Sequence, residues 1–222
     1  MPLPRLAPVL PSLVLPVLLA ACAGPGEDLA MLGHAALLNR LPPQVGGFVA
    51  QGPALEQPAT AARRYQVTGA LAVVTLGRPP AEPPVPDGPD AAETRVLLER
   101  LTTAVMHRPG GETLFGPWRR DNDLRVQNRN GPPVRCSTLR RPREGSEQVQ
   151  YSCITGLHGR YFTTAITVNH NAANRLGAQN LAGNFTAVVA RLLASGEMPP
   201  QPRPDAIPTP AAEDDAVPDG AG

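Results

Sequence analysis

The chain has 222 residues and a formal charge of +1 at pH 7, with twenty basic groups, every one an arginine, against nineteen acidic ones. A balance so close to neutral excludes the basic composition of a nucleic-acid binder. The absence of lysine beside 28 prolines and 21 glycines fits a GC-rich coding bias better than selective phosphate recognition.

Met1 to Ala21 has the form of an export signal: Arg5 is its one charge, and the apolar stretch from Leu6 to Ala21 is too short to span a bilayer and is broken by Pro8, Pro11 and Pro16. It closes on Leu19-Ala20-Ala21-Cys22, which resembles the lipobox of bacterial lipoproteins. That resemblance implies a diacylglycerol thioether on Cys22, cleavage before it, and acylation of the new amino group. Several acyl chains on one residue hold a protein stably to a membrane without a spanning helix. Ala23, where some lipoproteins carry an aspartate that retains them at the inner membrane, favours the outer membrane by the same likeness.

After this signal (1–21), the organisation read from composition is a lipidated tether (22–28), one periplasmic domain (29–197) and a proline-rich acidic tail (198–222) that buries too little apolar surface to order. The tether, the tail and the proline-rich loop at 78–89 are three stretches expected not to pack. The domain begins with a helix predicted over 28–40 and ended by Pro42-Pro43; Gly46-Gly47-Phe48-Val49 then opens an extended segment. Residues 64–76 read as two short strands, or one bulged at Gly69. Asp90 and Glu93 fit a capping box for a helix with Val96, Leu97, Leu101, Ala104 and Val105 on one stripe, stopped by Pro109-Gly110-Gly111. Strands follow at 114–118, 124–128, 134–140, 148–155 and 160–168. A last helix, 172–194, buries Leu176, Leu181, Phe185, Val188, Val189, Leu192 and Leu193 and ends at Gly196. This order predicts an α+β fold: an antiparallel sheet of five to seven strands, with two or three helices on one face and one disulfide.

The disulfide follows from register. A hairpin of 134–140 with 148–155, folded between Glu144 and Gly145, sets Cys136 opposite Cys153, and an exported compartment favours their oxidation.

Catalytic signals are sparse. His34, His107, His158 and His170 are scattered, so no metal site is expected, and each reads as a surface or capping histidine. No nucleophile motif or phosphate loop is present, so neither catalytic residues nor a cofactor are assigned. Asp121 and Asp123 alternate with arginines and read as a solvated ion-pair cluster. Arg119, Arg120, Arg125, Arg129, Arg135, Arg140, Arg141 and Arg143 crowd one span and could form a basic face for lipid phosphates or an anionic envelope polymer. The alternative is ordinary filling of a hairpin's solvent face. Trp118 is an anchor in the first case and a core residue in the second.

Three fragments, LPPQVGGF (41–48), RRYQVTGALAVVTLGRP (63–79) and YSCITGLHGRYFTTAITV (151–168), resemble a family of small exported bacterial proteins of unknown function. The apolar strand lacks the aromatic residues of that pattern. The resemblance implies one α+β domain and no activity. Together these readings point to a membrane-anchored envelope lipoprotein that binds or maintains rather than catalyses. The alternatives are an accessory subunit docking onto an envelope protein, and a periplasmic enzyme with a site assembled from scattered residues.

Overall fold

The computed structural model describes residues 29, 31–78, 84–107, 116–143, 145–170 and 174–196. Cys22, the signal, the tether and the tail lie outside the described residues. The fold is α+β. Helix α1 (His34–Asn39) is followed by strands β1 (Gln44–Val45), β2 (Phe48–Ala50), β3 (Leu55–Gln57), β4 (Thr60–Val67) and β5 (Ala70–Gly77). Helix α2 (Ala92–Met106) leads to β6 (Arg119–Val126), β7 (Val134–Arg143), β8 (Ser146–Leu157), β9 (Arg160–His170) and helix α3 (Arg175–Ser195).

All strand pairings are antiparallel, in the order β1-β2-β4-β5-β9-β8-β7-β6, with β3 also paired to β4. Among the described residues the sheet has nine strands, more than the five to seven expected. The excess lies in β1, β2 and β3, each two or three residues long, too short for an alternating pattern to register in sequence. Gly46 and Gly47, both at positive φ (54° and 86°), form the two-residue turn between β1 and β2, a conformation that favours glycine over residues with a Cβ. Residues 64–76 resolve into two strands of one hairpin, β4 and β5, turning at Thr68-Gly69.

The β7–β8 hairpin has the register read from sequence: Arg143 faces Ser146 and Cys136 faces Cys153. The two cysteines are bridged, with Cα atoms 3.9 Å apart.

Alternation splits the sheet into two buried faces. On one, Ala72, Val74 and Leu76 of β5 neighbour Ile166 and Phe162 of β9, and the layer continues through Tyr151 and Cys153 to Cys136 and Val134. Helices α1 and α3 cover it, and Phe185 of α3 packs on Phe48 at 4.6 Å and edge-on to Tyr65 at 5.4 Å. Of the predicted α3 stripe, Leu176 is instead 68% exposed, and Ala178, Ala182, Thr186 and Ala190 take buried places beside Phe185 and Val189. Small side chains let the helix sit close to the sheet.

Helix α2 lies on the opposite face, against β7 and β8, so two of the three helices, α1 and α3, share one face. The reason is burial on both sides: Leu139 and Ile154 alternate with the disulfide layer and are themselves fully buried. The predicted strand over 114–118 is absent from its described part, 116–118. Helix α1 starts at His34 rather than residue 28, with extended Gly33 as its N-cap.

The proline-rich loop is not loose throughout. Val85 and Gly88 bridge to Gly159 and Gly156, Val85 is 5% exposed, and Asp87 accepts a hydrogen bond from the His158 backbone at 2.9 Å. Residues 84–89 thus clamp the β8–β9 end, which compositional reading of the prolines missed.

Candidate functional site

The eight arginines do not gather into one face. By register, Arg120, Arg125, Arg135, Arg141 and Arg143 lie on the α2 side of the sheet, Arg119 and Arg140 on the α3 side, and Arg129 in the β6–β7 turn. Acids are interleaved among them. Arg120 forms a two-pronged pair with Glu99 of α2 at 2.7 and 2.8 Å and also reaches Asp123. These hydrogen bonds, led by that of Glu99, push the Arg120 guanidinium up and hold the Glu99 carboxyl below its ordinary value. Arg140 binds Asp121 and, at 3.0 Å, Glu147. Asp121 and Asp123 therefore sit in the ion-pair cluster their spacing suggested.

Arg125 and Arg135 face each other across β6 and β7, and Asp90 bridges them at 3.0 and 3.5 Å. That use of Asp90 displaces the predicted capping box: Ala91 is the N-cap of α2, with no side-chain cap bond. Two like charges opposed on adjacent strands need a counter-charge more than one helix amide needs a cap. Trp118 is half-buried under the Arg141 guanidinium, 4.6 Å from the ring centroid.

The histidines remain apart. Among the described residues no group of three or more His, Cys, Asp or Glu side chains is placed to hold a metal ion. His158, at φ 51°, joins the β8–β9 turn to the carbonyl of Ala194 at the end of α3. His34 is shifted toward its neutral form, first by burial and then by Arg160. His170 departs from the surface expectation: it is buried, 3.8 Å from Glu147.

Contacts from segments 41–48, 63–78 and 151–168 tie the domain together. Arg63, 8% exposed, donates to the carbonyls of Leu38 and Leu41 at 3.0 and 2.6 Å, and Tyr65 donates to that of Pro42 at 3.1 Å. Arg160 similarly donates to the carbonyl of Leu32. The LPPQVGGF and RRYQVTG segments meet through the Arg63 and Tyr65 contacts, which satisfy carbonyls at and just beyond the end of α1.

Among the described residues a groove of about 620 Å³ lies between α2 and the sheet. Its floor is the surface of β4, β5 and β9, where Thr75 faces Thr163 and Gly77 faces both Thr60 and Tyr161. Val96, Leu97 and Leu101 overhang it from α2, and Arg78, Glu93 and Arg100 are exposed at its edge. The Tyr161 phenol is pushed up chiefly by burial, with Glu93 adding to the shift and Arg100 opposing it, so both charges lie near that ring.

This groove exists because α2 rests on the sheet by a stripe other than the expected one. Thr94, Leu98 and Thr102, four residues apart, are fully buried, whereas Val96 is 51% exposed and Leu97 and Leu101 are half-buried. Burying two threonines while larger apolar groups overhang open space contradicts binary patterning, and such conflicts mark functional surfaces. The apolar stripe was visible in sequence; that it faces a groove was not. A small recess of about 210 Å³ beside the disulfide, between β6 and α3, is lined by Leu124, Val126 and Tyr151 together with the amides Gln127, Gln179, Asn180 and Asn184.

Among the described residues no helix is long and apolar enough to cross a membrane. No protein-family model and no curated protein matches the chain. Among solved structures, a point mutant of the protein Mog1 is similar at a TM-score of 0.35 and 13% identity, over 67% of this chain and 85% of that one. A likeness of that size supports no inference about fold or function.

Proposed function

We propose that the chain is an envelope lipoprotein, anchored through Cys22, whose folded domain is a binding module with its ligand site in the α2 groove. The observation that carries the binding role is the overhang of Val96, Leu97 and Leu101 above a floor of hydroxyl-bearing side chains. A cavity of this size, mostly apolar with a few polar groups, is ordinary for a small-molecule site, for which volumes run from about 300 to 1,000 Å³. Among the described residues that line the groove, the apolar overhang and the hydroxyls of the floor support binding. The lipobox-like Leu19-Ala20-Ala21-Cys22 supports the anchor, and the bridge between Cys136 and Cys153 suits an oxidising compartment. The acids among the β6–β7 arginines give less support to an anionic polymer on that face.

Membrane fractionation tests the anchor. The full chain is expected to sediment with membranes through an alkaline wash, and the Cys22→Ala chain to be released. Retention of that variant, or mass spectrometry of a mature terminus other than residue 22, overturns the lipoprotein reading.

A further inference from the structure

We propose that the groove between α2 and the sheet binds a single-chain amphiphile with a carboxylate head, the chain lying beneath Val96, Leu97 and Leu101 and the head at Arg78 and Arg100. This rests on the reading of the groove as a ligand site and names the ligand class.

Two observations carry it. The roof is aliphatic, and the threonines below present methyl groups as well as hydroxyls, so a flexible hydrocarbon chain meets apolar surface above and below. Gly77 keeps the floor low: a Cβ there would come within 2.8 Å of the Thr60 methyl. A separate open recess along α2 shares Val96 and Arg100 with the groove and is lined also by Arg95, Glu99, Thr103 and Ala104.

The second observation is charge. Three other arginines on this side of the sheet are matched by carboxylates: Arg120 with Glu99 and Asp123, Arg125 and Arg135 with Asp90. At the groove, Arg78 and Arg100 form no ion pair among the described residues, and Glu93 is the one carboxylate in the lining. Two guanidinium groups against one carboxylate leave one positive charge, matching a monoanionic head. Arginine's planar fork suits a carboxylate.

The test uses the full-length Cys22→Ala chain, so that its own acyl groups do not compete and the outcome is independent of the anchor. Anilinonaphthalene sulfonate is bound first and displaced with dodecanoate or dodecanol, both kept below the concentrations at which they aggregate. Saturable displacement is expected, with dodecanoate about tenfold tighter than dodecanol, the equivalent of one charge-assisted contact. Arg100→Glu should remove that preference and leave dodecanol unchanged. Val96→Trp, at a half-exposed position, and Thr163→Phe, on the floor, should each block both ligands while keeping the far-ultraviolet circular dichroism of the parent. Equal affinity for the two ligands overturns the carboxylate assignment and leaves the groove as an apolar site. Displacement indifferent to both filling variants, or no displacement at all, overturns the ligand site itself.

Discussion

Arg63 on β4 donates a 2.6 Å hydrogen bond to the carbonyl of Leu41, 22 residues earlier in the chain, from a position almost closed to solvent. The same nitrogen reaches the carbonyl of Leu38, and the guanidinium lies 5.3 Å from the centre of the Tyr65 ring. One buried cation thereby fastens the end of α1 to the sheet. Arg63→Ala leaves the Leu41 carbonyl without its donor, while that of Leu38 keeps the Leu41 amide, and is expected to cost about 2 kcal/mol, read from urea unfolding. Arg63→Lys should recover part of the loss, because a single ammonium donates without the planar fork. A loss below about 0.5 kcal/mol for the alanine variant would contradict this role, being what an inconsequential surface substitution gives.

The bridge between Cys136 and Cys153 joins positions separated by 17 residues. Closing a loop of that size restricts the unfolded chain and is worth about 3 kcal/mol. The double variant Cys136→Ala/Cys153→Ala should lose about that much in chemical denaturation. Adding dithiothreitol should destabilise the parent and leave the double variant unchanged.

Gly156 on β8 packs beneath the backbone of the proline-rich loop, and a Cβ there would drive into the carbonyl of Pro86. Backbone cannot swing aside as a long side chain can, so Gly156→Ala must break the Gly88 to Gly156 bridge or displace β8. The expected cost is at least about 2 kcal/mol in thermal or urea unfolding. Gly88→Ala meets no neighbouring atom, and its cost should come from its positive φ of 95° alone.

Burial pushes the Tyr65 phenol up to about 12 from its ordinary 10.0, against a smaller opposing effect of Arg63. A group whose folded-state pKa is raised contributes stability that is complete below its unfolded value and lost as pH rises through the folded one. Stability should therefore fall between about pH 10 and pH 12. Tyr151, also raised chiefly by burial, should add to that fall. Tyr65→Phe should cost about 1 kcal/mol near neutrality, through the bond to Pro42, and make the alkaline loss shallower. Absorbance titration in the near ultraviolet checks this; Tyr65 ionising in the folded protein at its ordinary value would refute it.

Local pattern was enough for much of the sheet. The strand lengths of β7 and β8 leave one centre for their turn, which sets Cys136 against Cys153, whereas Gly46-Gly47 reads in sequence as opening an extended segment and its β1–β2 hairpin came from the fold. The site was less legible. Asp90 and Glu93 have capping spacing, yet Asp90 is claimed by Arg125 and Arg135, 35 and 45 residues away. The apolar stripe of α2 looked like core because sequence periodicity reports which residues share a helix face, not what that face meets.

Residue order alone was sufficient for the α+β character, the hairpin that carries the disulfide and the left-handed glycine that ends α3, because each depends on residues near one another in the chain. It took the assembled fold to place α2 on the other side of the sheet and to seat it on Thr94, Leu98 and Thr102. Which arginines are neutralised and which flank open space was settled there too. Those outcomes depend on charges and surfaces brought together from distant segments, a balance that no local window of residues contains.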